Sequence, residues 1–117
     1  MTLDALRDYC LSQPGATEDQ PFGPDTLVFK VMGKLFALVN LDGPPFSVNL
    51  KCDPEQAVEL RERYAAVVPG YHMNKRHWNT VDLSGDASSE DLREWIDHSY
   101  SLVVKSLKKA DREALGR

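Results

Sequence analysis

The spacing of apolar side chains changes twice along this chain, from helical to alternating and back. Leu3, Leu6 and Cys10 recur at helical intervals behind Thr2, which predicts a first helix capped by Thr2 and running to about Ser12. Gln13-Pro14-Gly15 ends it. Residues 16–25 hold three acids, two prolines and a glycine, and are expected as an extended loop. The period then becomes two. Leu27, Phe29 and Val31 alternate with Val28, Lys30 and Met32, and Leu35, Ala37, Val39 and Leu41 alternate with Phe36, Leu38 and Asn40. Phe46, Val48 and Leu50 alternate with Ser47, Asn49 and Lys51. Gly33-Lys34 between the first two runs is expected as a two-residue type II′ turn, and Asp42-Gly43-Pro44-Pro45 as the next turn. Together these runs predict a three-stranded antiparallel meander with one apolar and one mixed face.

Helical spacing returns at Asp53-Pro54-Glu55-Gln56, where an Asp cap, a Pro at the first helical position and Gln at the capping-box position coincide. Ala57, Leu60 and Tyr64 point inward on this helix, which stops before Pro69. His77 to Leu83 reads as a strand, with Val67 to Met73 as its irregular partner. Ser84-Gly85-Asp86 turns the chain. Ser88 with Asp91 then opens one long final helix, whose inward positions run Leu92, Trp95, Ile96, Ser99, Leu102, Val103, Ser106, Leu107 and Ala110. The order α-β(3)-α-β(2)-α implies a two-layer α+β fold, with helices over one face of an antiparallel sheet. The other face, or the hairpin tips, is left for a ligand. The length of 117 residues fits a single domain, 1–117, and 42% hydrophobic against 27% charged residues is enough apolar content for a core.

Charge changes this picture locally. The chain carries 14 Lys plus Arg against 18 Asp plus Glu, a net of −4, which excludes a protein that holds polyanions by bulk charge. Yet the run Gly70-Tyr71-His72-Met73-Asn74-Lys75-Arg76-His77-Trp78-Asn79-Thr80-Val81 lies inside a stretch with no acid, from Tyr64 to Val81. Lys75 and Arg76 supply charge there, His72, Asn74 and His77 supply directed hydrogen bonds, and Tyr71 and Trp78 supply flat stacking faces. Lys30, Lys34 and Lys51 on the meander are candidates for the same anion or nucleic-acid site. The basic tail from Lys105 onward reads more simply as cations at a helix C-terminus.

Catalytic chemistry finds little support. Cys10 and Cys52 form no CxxC pair, and His72, His77 and His98 give no convergent metal-ligand set. Cys10 reads as a small inward hydrophobe. Cys52 precedes a helix, whose dipole is expected to lower its thiol pKa, and a pairing of Cys52 with His77 is conceivable. There is no phosphate loop, nucleophile elbow or HExxH run. A binding protein without catalytic residues, metal or cofactor is the expectation. The N-terminus has no signal-peptide pattern and no apolar run reaches membrane-spanning length, so the cytoplasm is the expected compartment.

The order of elements resembles the MmcQ/YjbR family of small bacterial proteins. The likeness is carried by Lys51-Cys52-Asp53-Pro54-Glu55, by Pro69-Gly70-Tyr71, by the run His72 to Val81 and by the hairpin around Gly33. It implies an α-β(3)-α-β(2)-α fold similar in outline to type III secretion chaperones and to a double-wing domain of a phage transcription factor. DNA is therefore the first implied partner, held by the Gly33-Lys34 tip and the loop at Asn74 to Arg76. The alternatives are a protein partner or a second copy, docked on outer apolar positions Val28, Phe36 and Leu38, and a small anion at the cluster.

Overall fold

Thr2 Oγ1 accepts from the Ala5 amide at 3.1 Å and starts helix α1 (Leu3–Leu11), which buries Leu6 and Cys10. The structure, a computed structural model, describes residues 1–71 and 73–116. Residues 16–19, expected inside a loop, instead form strand β1 (Ala16–Asp19), antiparallel to β2 (Thr26–Val31). Acids on an edge strand are what sheet edges favour, so its composition hid it. Glu18 of β1 takes a two-pronged bond from Arg7 of α1, at 2.7 Å to Nε and 2.5 Å to Nη2, and this ion pair holds the Glu18 carboxyl below the ordinary carboxylate range.

Strands β2, β3 (Lys34–Asn40) and β4 (Ser47–Lys51) form the expected meander. The first turn differs from expectation. Val31 pairs with Lys34, so Met32-Gly33 are the two loop residues, with φ of +50° and +80°. Two positive φ angles make a type I′ rather than a type II′ turn. A bulge follows: pairing jumps from Phe29↔Ala37 to Lys30↔Leu35, leaving Phe36 unmatched. Phe36 thereby turns into the helix layer, edge-on to Tyr100 at 5.4 Å between ring centroids.

Helix α2 (Pro54–Arg63) starts on Asp53, whose carboxylate accepts from the Glu55 and Gln56 amides. Short β5 (Val67–Pro69) pairs with β6 (Trp78–Asp82), and β6 also lies along β4. The six strands run in the order β1-β2-β3-β4-β6-β5, all antiparallel. Helix α3 (Ser89–Lys105) opens with a full Ser88–Asp91 capping box. It does not continue through Ala110: Ser106 closes it, Lys34 Nζ donates to the Ser106 carbonyl at 3.1 Å, and a separate α4 (Lys109–Ala114) comes next. A cation on the last carbonyls satisfies groups that a helix end leaves open.

The core lies between the sheet and helices α1, α2 and α3. Phe29, Val39, Val48 and Val81 meet Leu6, Ala57, Leu92 and Ile96 there. Ser99 of α3 sits fully buried among them. Its hydroxyl donates to the Phe36 carbonyl at the bulge (2.6 Å) and accepts from the Lys51 amide at the end of β4 (2.9 Å). The layers are thus joined by a polar pin as well as by packing. No helix among the described residues is long and apolar enough to cross a membrane.

Candidate ligand-binding cleft

The acid-free loop after β5 is built by its own side chains. The Asn74 carbonyl accepts from the His77 and Trp78 amides at 3.1 and 3.0 Å, and Asn74 Oδ1 accepts from the Arg76 amide at 3.0 Å. Asn74 is therefore the organiser of a turn. Lys75 Nζ donates to the Gly70 carbonyl at 3.1 Å and closes the loop on itself. Gly70 donates its amide to the Trp78 carbonyl at 2.8 Å; a Cβ there would stand 2.8 Å from that of Trp78, so only glycine permits the approach.

Arg61 of α2 anchors this loop from outside. Its Nε donates to Asn79 Oδ1 at 2.7 Å, and its Nη2 donates to the carbonyls of Trp78 (3.4 Å) and Lys75. Asn79 is buried and donates onward to the Ala57 carbonyl at 3.3 Å. Sequence pattern did not single out Arg61, because with Arg63 it shares the last turn of α2, where arginines look like macrodipole partners.

Two of the expected cations are accordingly engaged. Lys34 is held on the end of α3 and Lys75 on Gly70. Lys30 and Lys51 are half-buried, and strand alternation sets Lys51 on the sheet face away from the helices. Arg76 is exposed and lines a shallow depression beside Glu55, Val58 and Arg61. His77 is half-buried, and its carbonyl accepts from the Cys52 amide at 2.7 Å. That contact brings the two residues together through backbone. Burial, with Asp53 beside it, pushes the Cys52 thiol up to about 11 despite the nearby Arg61 cation, a rise where a lowering was expected. Trp78 is half-buried in β6, and Tyr71 is exposed. His72 lies outside the described residues. Among the apolar positions expected to dock a partner, Val28 and Phe36 are fully buried, Phe36 because the bulge turns it inward. Leu38 remains accessible.

Leu38 belongs to a different feature. The sheet face away from the helices carries a cleft of about 470 Å³ between the loop after β1 and the loop before β6. Its apolar lining is Phe22, Leu35, Leu38, Tyr71 and Met73. Phe22 and Tyr71 remain 67% and 68% exposed, unusual for such large aromatics. Its polar lining is Thr26, Asn40, Ser47, Asn49 and Thr80, so among the described residues no lining residue carries a formal charge. The Tyr71 amide donates to Thr80 Oγ1 at 3.0 Å, and that hydroxyl donates to Asn49 Oδ1 at 2.5 Å. This chain ties the Tyr71 loop to the cleft floor. Of these residues the sequence singles out Tyr71, for the anion site, and Leu38, as a docking position. Phe22 sits in a stretch without periodicity, and Asn49 and Thr80 look like ordinary polar positions on strands.

Helices over one sheet face and two loops fencing a cleft on the other define a two-layer α+β domain with an open sheet face. The YjbR family model matches residues 11–102, and the chain belongs to that family. It is 45% identical to YbdF of Escherichia coli O157:H7 over 94 residues, covering 80% of this chain and 76% of that one. It is 35% identical to YjbR of Escherichia coli K12 over 116 residues, 98% of both chains. Both relatives are described as uncharacterised, so the family brings a fold rather than an activity. The crystal structure of the Deinococcus radiodurans protein DR2400 superposes with a TM-score of 0.91 at 43% identity, covering 98% of this chain and 88% of that one.

Proposed function

We propose that this protein is a non-catalytic binding module that takes its ligand in the cleft on the open sheet face. The observation that carries the reading is the pair of exposed aromatics, Phe22 and Tyr71, facing a floor of uncharged hydrogen-bonding groups. Apolar walls with a few directed polar groups are the usual composition of a small-molecule site, and the volume falls within the ordinary range of roughly 300–1,000 Å³.

The test uses Nile red, a neutral apolar fluorophore. Its emission should rise and saturate with the wild-type protein. It should stay near the free-dye level with the double variant Phe22→Ala, Tyr71→Ala, whose melting temperature should be unchanged because both side chains are exposed. Equal enhancement by both proteins would remove the cleft as the site.

A nucleic-acid reading rests on a different observation: Arg76 is exposed and Lys30 and Lys51 lie half-open on the strands. It needs cations that converge, and two of the expected ones, Lys34 and Lys75, are engaged on backbone carbonyls.

A further inference from the structure

Accepting the cleft as the binding site, its chemistry also specifies what enters it. We infer that the ligand is a small, uncharged aromatic molecule bearing a carbonyl or ring-nitrogen acceptor, gripped by the rings of Phe22 and Tyr71 and hydrogen-bonded by the side-chain amide of Asn49.

Three observations lead there. The first is charge. Among the described residues the lining holds no Asp, Glu, Lys, Arg or His. Lys30, paired with Leu35, and Lys51 share this sheet face but are not in the lining, so a charged ligand would leave water for a lining without a counter-charge, and uncompensated burial of an ion is heavily disfavoured. A neutral ligand meets no such barrier.

The second is the amide. Asn49 is only 4% exposed, yet it lines the cleft. Its oxygen accepts from Thr80 Oγ1, and the Thr80 hydroxyl in turn accepts from the Tyr71 amide. The oxygen end is thereby fixed toward Thr80, which sends the NH₂ end the other way. Among the described residues nothing accepts from Asn49 Nδ2, and no buried side-chain nitrogen or oxygen lacks a partner. Nδ2 is therefore at the accessible surface, and for a side chain this buried that surface is the cleft. A nearly buried donor held in orientation and aimed into an apolar site selects a ligand with an acceptor, because a ligand without one leaves the donor stranded.

The third is shape. Phe22 and Tyr71 come from loops at opposite edges of the sheet, and both residues are largely exposed. Leu35, Leu38 and Met73 supply the remaining apolar surface. Aromatic side chains beside aliphatic ones favour a flat ring, through stacked or edge-on contact, over a flexible chain. Met73 adds a polarisable side chain that adapts to the ring edge.

The experiment compares benzamide, benzoate and ethylbenzene on the full chain, with binding read from amide shifts in ¹H–¹⁵N NMR spectra, including the Asn49 side-chain NH₂. Benzamide should shift the Asn49 NH₂ and the Tyr71 and Thr80 backbone amides. Benzoate and ethylbenzene should bind about tenfold more weakly or not at all, the effect of one unmade hydrogen bond or one unpaired charge. Asn49→Asp should lose benzamide by a similar factor. Should that variant fold poorly, Thr80→Val serves instead: it frees the amide to rotate and should weaken benzamide while leaving the Nile red response in place. Benzoate bound as tightly as benzamide, or ethylbenzene bound equally well, would overturn the ligand class while the cleft itself stands. Nile red emission that ignores the Phe22 and Tyr71 substitutions, with none of the three probes shifting cleft amides, would instead overturn the cleft.

Discussion

At the scale of single residues, this protein assigns its polar groups to structural tasks that residue type alone does not disclose. Asn74, a candidate ligand by residue type, organises a turn; Lys34, a candidate phosphate contact, caps a helix. Ser99 has the spacing of an inward-facing gap filler and is the pin between sheet and helix layer. Removing its hydroxyl leaves a carbonyl and an amide without this partner in the interior, and each orphaned group costs about 1–3 kcal/mol. Ser99→Ala should therefore lower stability by roughly 2–3 kcal/mol, seen as a fall of about 10 °C in melting temperature. A fall of only a degree or two would mean that the bulge and the end of β4 find replacement partners. The two cysteines show the same dependence on setting. Burial raises Cys10 to about 12 and Cys52 to about 11, so both behave as inert apolar residues.

At the scale of elements, the β2–β3 hairpin holds a local conflict. Its type I′ turn places Met32 at φ +50°, a conformation that side chains other than Asn, Asp and Gly adopt reluctantly. Met32 is also 39% exposed, so little packing repays the strain. Met32→Asn should stabilise the protein by about 0.5–1 kcal/mol, measurable as a higher midpoint in urea with an unchanged m-value. A lower midpoint would show that Met32 packs usefully on the hairpin. The turn type also sets the register, and the register sets the bulge that sends Phe36 to the helices and leaves Leu35 and Leu38 in the cleft. One turn thus helps to form both the core and the site.

At the scale of the whole molecule, the distribution of charge matters more than its total. The groove between α2 and α3 gathers Asp53, Glu55, Glu59, Asp91 and Glu94, with Arg63 the one cation in its lining among the described residues. Of the cations expected to hold a nucleic acid, those left open are Arg76 and the half-buried Lys30 and Lys51. Such a set neutralises few phosphates. The slope of log K against log salt for a fluorescent duplex should be no steeper than about −3, with binding lost near physiological ionic strength. Lys75→Ala with Arg76→Ala should change that weak binding only through Arg76. A steep slope with retained affinity would instead restore the double-wing reading, and place DNA on the open face in competition with the cleft's ligand.

Periodicity by itself determined most of the architecture: the meander, the capped starts of α1, α2 and α3, and the two-layer arrangement all follow from local spacing and cap chemistry. Strand β1 escaped because an edge strand rich in acids has no apolar alternation to detect. The break between α3 and α4 escaped because Ser106 and Leu107 continue the helical pattern, while the stop comes from caps and from Lys34, distant in sequence. The site was legible only in part. Composition located the loop carrying Tyr71, but which side chains were already engaged depended on partners such as Arg61, Gly70 and Ser106. Phe22, Leu38, Asn49, Tyr71 and Thr80 became one cleft only when six strands aligned them, since residues far apart in the chain meet through register and not through spacing.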